Sequence, residues 1–309
     1  MLADGFSNDS VGSLWQRLVR GARRAWQRAD WSAFAGPDWQ DRAMSMEAAE
    51  DFHAKQGRST CRVLLQGEGR WLGAYLKRSY QPSWWLGWLA TLFPNSGWSP
   101  AWQEWRHLRW AKSQGVHVPE PLAVAEFIGP WGRLQGFLAI EELSGMVRLH
   151  TAVSLAAANM DAETFETWKR GLILELARLT RLLHDRCRFH KDLYLSHFFI
   201  PRSALGPVTD WRGQVYLIDF HRLRYHPLTW PLWQAKDLGQ LLFSSQIPGV
   251  TARDRLRFWH YYLRMNSRDR WLRRLVLFKN WTYQRHRNRK QRRARGCLIS
   301  PPPGPSNRR

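Results

Sequence analysis

Cysteine is scarce in this chain of 309 residues, and its three cysteines, Cys61, Cys187 and Cys297, are scattered. No CxxC or Cys/His spacing occurs. That excludes a disulfide-framed secreted scaffold and a thiolate zinc centre, and it points to a reducing compartment. Long apolar runs are also missing. The longest, residues 84–93, has ten residues, where a bilayer-spanning helix needs about 20. The start of the chain carries Asp4 and Asp9 and no apolar stretch, unlike a secretory signal. Acidic residues are few, 25 against 47 Lys and Arg. There is no internal repeat and no complete G-x-G-x-x-G phosphate loop.

What is present is as informative. The net charge of +22 draws a protein toward polyanions: nucleic acid, anionic lipid or phosphorylated glycan. Twenty tryptophans favour places where one end of a side chain is apolar and the other wet. Trp and Arg together favour a membrane surface or a sugar-lipid partner. A nucleic-acid reader motif is absent, so no specific nucleic-acid partner is expected. Hydrophobic content of 44% is ample for a packed core. These features together predict a cytoplasmic protein able to lie on a membrane.

Along the chain, residues 1–48 form a helix-prone extension carrying Trp15, Trp26, Trp31 and Trp39 among arginines. It either docks on the domain or lies on a membrane. Residues 61–65 and 71–77 pattern as a hairpin around Gly67-Glu68-Gly69. Before it, Gly57-Arg58-Ser59-Thr60 is a small polar loop that can offer backbone N–H groups to a phosphate. The insert at residues 81–94, with Trp84, Trp85 and Trp88, is either a membrane-contacting loop or ordinary packing. Ser99-Pro100 opens a helix that Gly115 closes. In it Glu104 shares a face with Ala101, Leu108 and Ala111, so it needs a partner, and Lys77 is the natural one. Residues 116–124 and 136–140 pattern as strands, followed by a polar break at Glu141-Glu142-Leu143-Ser144-Gly145. Residues 165–184 repeat apolar positions at helical spacing. Further helices are expected at 236–243 and 253–265. Residues 286–309 read as a basic, disordered tail ending in Pro301-Pro302-Pro303-Gly304-Pro305.

The chemistry concentrates in two places. The helix at 165–184 runs into a turn holding His190, Lys191 and Asp192, then into the apolar Phe198-Phe199-Ile200. Further on, the run Val215-Tyr216-Leu217-Ile218 delivers Asp219. Two aspartates beside strand ends, 27 residues apart, suit phosphoryl transfer. One can orient a hydroxyl nucleophile and the other can hold magnesium against a triphosphate.

The order of lysine hairpin, glutamate helix, polar break, long helix, Asp192 turn and Asp219 strand resembles a protein-kinase-like fold. That fold is α+β and bilobal, with a small antiparallel-sheet N-lobe, here 49–143, and a mostly helical C-lobe, here 144–285. More closely, His190-Lys191-Asp192-Leu193-Tyr194-Leu195-Ser196-His197-Phe198 and Leu217-Ile218-Asp219-Phe220-His221-Arg222 resemble the H-R-D-x-Y-x-x-H-F and I-D-L-H-R motifs of the lipopolysaccharide core kinases, the Kdo/WaaP family. The resemblance covers roughly residues 50–285.

It implies an ATP- and Mg²⁺-dependent kinase of a sugar hydroxyl, Kdo or heptose, on a lipid-linked anionic glycan, peripheral on the inner face of the cell membrane. Asp192 would be the catalytic base or hydroxyl-orienting group. Lys77, paired by Glu104, would hold the nucleotide phosphates. Gly57, Arg58, Ser59 and Thr60 would form the phosphate loop, with Glu142 at the nucleotide-side hinge. Asp219 would coordinate magnesium. His197, where protein kinases place a metal-binding Asn, is either a second ligand or a packed histidine. Lys191 replaces the usual Arg, which keeps the charge but loses the bidentate fork. No Gly follows Asp219-Phe220, so a phosphorylation-switched activation loop is not expected. A non-catalytic kinase-like membrane protein and a kinase of another small alcohol are the alternatives.

Overall fold

Period-two alternation through residues 58–79 lays down the central sheet. Ser59, Cys61 and Val63 are buried on one strand and Leu72, Ala74 and Leu76 on the next. The residues between them, Thr60, Arg62, Tyr75 and Lys77, face the other way, as a pleated strand requires. The computed structural model describes residues 5–8, 13–46, 50–55, 57–67, 69–80, 84–263 and 270–299.

The strands are β1 (Gly5–Asn8), β2 (Ala22–Gln27), β3 (Glu50–Lys55), β4 (Arg58–Gly67), β5 (Arg70–Ser79), β6 (Pro121–Gly129) and β7 (Arg133–Glu141). Five short ones follow: β8 (Met146–Arg148), β9 (Arg188–Phe189), β10 (Phe198–Pro201), β11 (Tyr216–Leu217) and β12 (Arg224–Tyr225). The helices are α1 (Leu14–Arg20), α2 (Trp31–Ala35), α3 (Trp39–Ala43), α4 (Trp84–Leu92) and α5 (Pro100–Ser113). Then come α6 (Leu149–Asn159), α7 (Ala162–His184), α8 (Trp230–Ser244), α9 (Ala252–Leu263) and α10 (Arg270–Ile299). The chain divides into two compact units. The first holds residues 1–147, 198–205 and 210–223, and the second holds 148–197, 206–209 and 224–309.

The first unit is built on a seven-stranded sheet of order β1-β2-β6-β7-β5-β4-β3, with antiparallel pairing throughout. The residues expected to form a helical extension close it on one face. Trp31, Phe34 and Trp39 from α2 and α3 are buried in one cluster with Cys61, Leu76, Phe137 and Ala139. Trp39 meets Trp31 and Phe137 edge-on at 6.3 and 5.7 Å, the geometry the ring quadrupoles favour.

The extension is not wholly helical, which corrects the sequence expectation. Residues 22–27 form β2 and pair along β6, because an open sheet edge gains more from a ladder than from a six-residue helix. The strand expected at 116–124 begins instead at Pro121. Pro119 and Pro121 interrupt the ladder, and His117 makes only an isolated bridge to Tyr216. The hairpin falls where its pattern predicts, although Glu68 of its turn lies outside the described residues, as do 81–83 of the tryptophan insert. A small sheet of order β11-β10-β8 completes the unit.

The second unit is mostly helical. α7 starts on Asp161, whose carboxylate accepts from the Glu163 and Thr164 amides at 3.0 Å. It buries Trp168, Leu172, Leu176, Leu179 and Leu183. A core of Ala177, Ala235, Leu238, Tyr262, Leu272 and Val276 joins α7, α8, α9 and α10. Between α7 and α9, Lys169 binds the buried Asp254 at 3.0 Å, and it also binds the half-exposed Glu166 of its own helix at 2.6 Å. α10 continues through residues 286–299, so the disordered tail expected from 286 is helical in that part. Its alternation of good helix formers with no Gly or Pro until Gly296 sustains the helix. Residues 300–309, with the proline run, and 264–265 of the helix expected at 253–265 lie outside the described residues. No helix among the described residues is long and apolar enough to cross a membrane.

Candidate active site

Lys77 lies on β5 one residue after the fully buried Leu76, so the pleat turns its side chain to the sheet face opposite the tryptophan core. That face meets α5. Ser99 caps α5, its hydroxyl accepting from the Trp102 amide at 3.2 Å. The buried Glu126 of β6 holds the Ser99 amide in turn, and burial pushes the Glu126 carboxyl up. Toward the other end His107 meets the Phe220 carbonyl through Nδ1 at 3.0 Å. Between these anchors Glu104, only 6% exposed, accepts from Lys77 Nζ at 2.6 Å. Burial opposes the Lys77 charge, but the Glu104 carboxylate and then Asp219 outweigh it and hold the ammonium above the ordinary lysine value.

Asp219 reaches the same cleft. β10 and β11 pair Phe198 with Leu217 and Phe199 with Tyr216, and two residues beyond β11 Asp219 stands in the left-handed region (φ 70°, ψ 53°). Asp tolerates that region better than most residues, and such strain concentrates at functional sites. His221 Nδ1 contacts Asp219 Oδ1, and the fully buried Phe220 fixes the turn beneath it. The cleft has a cavity volume of about 230 Å³ and is lined by Arg58, Ser59, Thr60, Lys77, Glu104, Asp219 and His221, among others. Beyond the Lys77–Glu104 pair, Arg58, Ser59 and Thr60 belong to the sequence-predicted nucleotide set, and Asp219 is the expected magnesium ligand.

One expectation needs correction here. Gly57-Arg58-Ser59-Thr60 is not a free loop. Arg58, Ser59 and Thr60 are strand residues paired with both β3 and β5, so the ladder uses their backbone groups, and only Gly57 (φ 72°) belongs to the turn. The Arg58 and Thr60 side chains share the cleft face with Lys77, while Ser59 turns to the buried face, its hydroxyl 3.2 Å from that of Tyr80. Glu142 is not among the residues lining it. Its carboxylate pairs with Arg62 at 2.9 and 3.0 Å and its amide donates to the Gly73 carbonyl.

The second unit shapes the Asp192 turn. Lys191 is left-handed (φ 68°), and Asp237 of α8 holds the strained turn from below. Its two carboxylate oxygens accept from the His190 and Lys191 amides, each at 2.8 Å. One turn on, Gln240 accepts from the Leu193 amide and donates to the Lys191 carbonyl, both at 3.1 Å. One further turn on, Ser244 accepts from the Leu195 amide at 2.8 Å. The chain 190–195 is thus clamped by one helix face. His184 braces Asp237 at 3.3 Å and Tyr262 at 2.7 Å. The Lys191 ammonium sits 3.9 Å from the centre of the Trp233 ring, a cation–π contact.

His197 Nδ1 lies 2.7 Å from the Asp192 carbonyl. A carbonyl oxygen only accepts, so Nδ1 donates this hydrogen bond. Burial, then Tyr194, Asp237 and Asp192, push the Tyr283 phenol of α10 up to about 12, so it stays a neutral hydroxyl. Asp237, Gln240, Ser244, His107 and Tyr283 were not found from sequence. The one available signal was Asp237 and Gln240 on an otherwise apolar helix face.

The donor set of the first-unit cleft fits a magnesium nucleotide. Among the described residues no three His, Cys, Asp or Glu cluster as a ready-made cation site. Magnesium needs none, since it keeps several waters and is held by one or two carboxylates plus the substrate's phosphates.

The profile described as "Lipopolysaccharide kinase (Kdo/WaaP) family" matches residues 56–262. The chain belongs to that family. Among curated proteins, lipopolysaccharide core heptose(I) kinase WaaP of Pseudomonas aeruginosa is 29% identical over 245 residues, covering 72% of this chain and 82% of the relative. WaaP of Escherichia coli K12 is 28% identical over 167 residues, 54% of this chain and 61% of the relative. A solved structure titled "WaaP in complex with acyl carrier protein" is similar at a TM-score of 0.64 and 24% identity, covering 84% of this chain and 98% of that one. The mixed architecture, an antiparallel sheet with a helical part, is the kinase-like fold expected. The chain is therefore a lipopolysaccharide kinase, a phosphotransferase acting on a sugar hydroxyl.

Proposed function

We propose that this kinase transfers the γ-phosphoryl group of ATP to a heptose or Kdo hydroxyl of a lipid-linked lipopolysaccharide core, at the cytoplasmic face of the membrane. The observation that carries the reading is the Lys77–Glu104 pair in a cleft that also holds Asp219. This is a pre-assembled phosphate site, in which Glu104 orients Lys77 and keeps it charged while it contacts the nucleotide phosphates. Asp219 would hold magnesium, which supplies charge neutralisation to the phosphates when bound. Asp192, on a turn fixed by Asp237 and Gln240, would align the sugar hydroxyl and accept its proton. Phosphoryl transfer depends on such positioning more than on covalent help from the protein. Arg58 and Lys77 suit an anionic donor, and the net charge suits an anionic acceptor.

The heptose alternative is favoured over Kdo by the heptose(I) kinases among the relatives. The structural neighbour's partner, acyl carrier protein, is proposed here as a partner as well. What supports it is an apolar cavity of about 110 Å³ in the second unit, lined by Leu149, Val153, Leu172, Leu238, Phe258 and Trp259 among others, of a chemistry that would take the end of an acyl chain.

The test is magnesium-dependent ATP turnover with purified core acceptor, comparing wild type with Asp192→Ala and running each with and without acylated acyl carrier protein. Acceptor-dependent transfer should fall by about 10²–10⁴-fold in the variant. ATP binding without transfer to any core sugar would refute the acceptor assignment. No effect of acyl carrier protein on activity or solubility would refute that partnership.

A further inference from the structure

Three segments of the first unit, far apart in sequence, meet in one exposed apolar face. α4 and the residue after it present Trp84, Trp85, Trp88, Leu92 and Phe93. α1 presents Leu14, Trp15 and Val19. The 3₁₀ turn Pro130–Gly132 presents Trp131. Trp84 is 76% exposed, Trp15 68% and Trp131 64%.

The face has firm backing. Arg17 Nε of α1 donates to the Thr91 carbonyl of α4 at 2.9 Å. Gly87 of α4 lies so close to the 3₁₀ turn that a Cβ there would come within 1.6 Å of the Gly132 carbonyl oxygen. A Cβ on Gly132 would in turn meet the Trp88 ring at 3.4 Å. Trp131 is held in the left-handed region (φ 56°, ψ 40°), an uncommon and costly conformation for a bulky residue. Its ring is held outward despite that cost.

Charge decides what covers the face. Residues 14–20, 84–98 and 130–133 contain six tryptophans and no Asp or Glu. Arg20 and Arg133 stand exposed within them. Soluble domains rarely leave so many large apolar side chains together in water. Tryptophan is the side chain most suited to the boundary between hydrocarbon and headgroup. Arginine beside it can keep its stem on apolar surface and its guanidinium among phosphates. The one carboxylate beside Arg20 and Pro130 among the described residues lining that edge, Asp41, is neutralised by Arg23 at 2.8 Å, so the face keeps a net positive charge that complements an anionic lipid surface.

We propose that this face is a membrane-docking surface. Trp15, Trp84, Trp85, Trp88 and Trp131 enter the interfacial layer of an anionic bilayer, and Arg20 and Arg133 meet the lipid phosphates. The proposal rests on the reading that the acceptor is lipid-borne, and it names the surface that brings the enzyme to it.

The test sediments the full chain with vesicles of phosphatidylethanolamine and phosphatidylglycerol, and with zwitterionic vesicles. Wild type is compared with a Trp84→Ser, Trp88→Ser, Trp131→Ser triple variant. Trp71→Ser is the control, since Trp71 is equally exposed but lies on β5 outside the face. Wild type and the control should partition onto anionic vesicles, and the triple variant should partition about tenfold or more less. Its phosphotransfer to a soluble, deacylated acceptor should be unchanged. If the triple variant melts early, Arg20→Gln with Arg133→Gln takes its place and should weaken anionic-vesicle binding by about tenfold. Wild type that ignores anionic vesicles, or a triple variant that binds as well as wild type, would overturn the proposal. So would a dimer without vesicle affinity that the triple variant dissolves, since the occupant would then be a second copy. Vesicle binding without phosphotransfer to any acceptor would sink the kinase reading and leave the docking surface standing.

Discussion

The Lys77–Glu104 pair should separate stability from nucleotide binding when its members are changed singly and together. Glu104 is almost fully enclosed and Lys77 mostly so, at 6% and 24% side-chain exposure. Glu104→Gln keeps the shape but removes the charge that offsets the burial of the ammonium. Breaking a buried pair on one side costs about 3–5 kcal/mol. Lys77 is partly wetted and keeps the field of Asp219, so about 2–4 kcal/mol is expected here, or roughly 5–10 °C in the thermal midpoint. Lys77→Met with Glu104→Gln should recover most of that loss, since no buried charge is left unpaired. Its affinity for ATP should nonetheless fall by about 30- to 100-fold, the worth of a charged hydrogen bond to phosphate.

The pH dependence follows the same sign. The folded value of Lys77 is raised, so the stability it contributes is fully present below the ordinary lysine value of 10.5 and is lost only as pH rises through the higher folded value. In Glu104→Gln the two favourable effects of Glu104 vanish while burial remains. The alkaline fall in ATP affinity should therefore move to lower pH. The measurements are thermal unfolding, and ATP titration by calorimetry from neutral to alkaline pH. A single variant as stable as wild type, or a double variant no more stable than the single one, would refute the reasoning.

Two further variants probe the scaffold. Asp237→Asn replaces the carboxylate that holds the His190 and Lys191 amides. Because the Asp192 turn is strained, kcat should drop by at least about tenfold with little change in the KM for ATP, and stability should fall by about 1.5–3 kcal/mol. A variant altered only in KM would contradict a positioning role. Gly87→Ala inserts a Cβ into the Gly132 backbone. The shift it forces should cost about 1–3 kcal/mol in urea unfolding, and an unchanged midpoint would mean that α4 is not packed on the turn as described.

Much of the fold is short-range and was legible in residue spacing. Period-two alternation placed the β4–β5 hairpin and turned Lys77 away from Leu76. Helical spacing placed α7, and a Ser-Pro start with a glycine stop placed α5. The need of a carboxylate on an apolar helix face for a cation paired Glu104 with Lys77. The motifs around Asp192 and Asp219 marked the family, because the residues of each motif are consecutive in the chain.

What the spacing could not supply was long-range. Asp237, Gln240 and Ser244 clamp a turn 46 to 49 residues away, His107 grips a carbonyl 113 residues away, and Glu142 turns to Arg62, 80 residues away. In each case a polar group must find a partner once packing has removed its water, and sequence periodicity says which face a residue takes but not what that face will meet. The same limit applies to residues 22–27 and 58–60. Their local pattern suits a helix or a loop, yet both became strands, because a neighbouring sheet edge offered them hydrogen bonds that only the assembled tertiary structure contains.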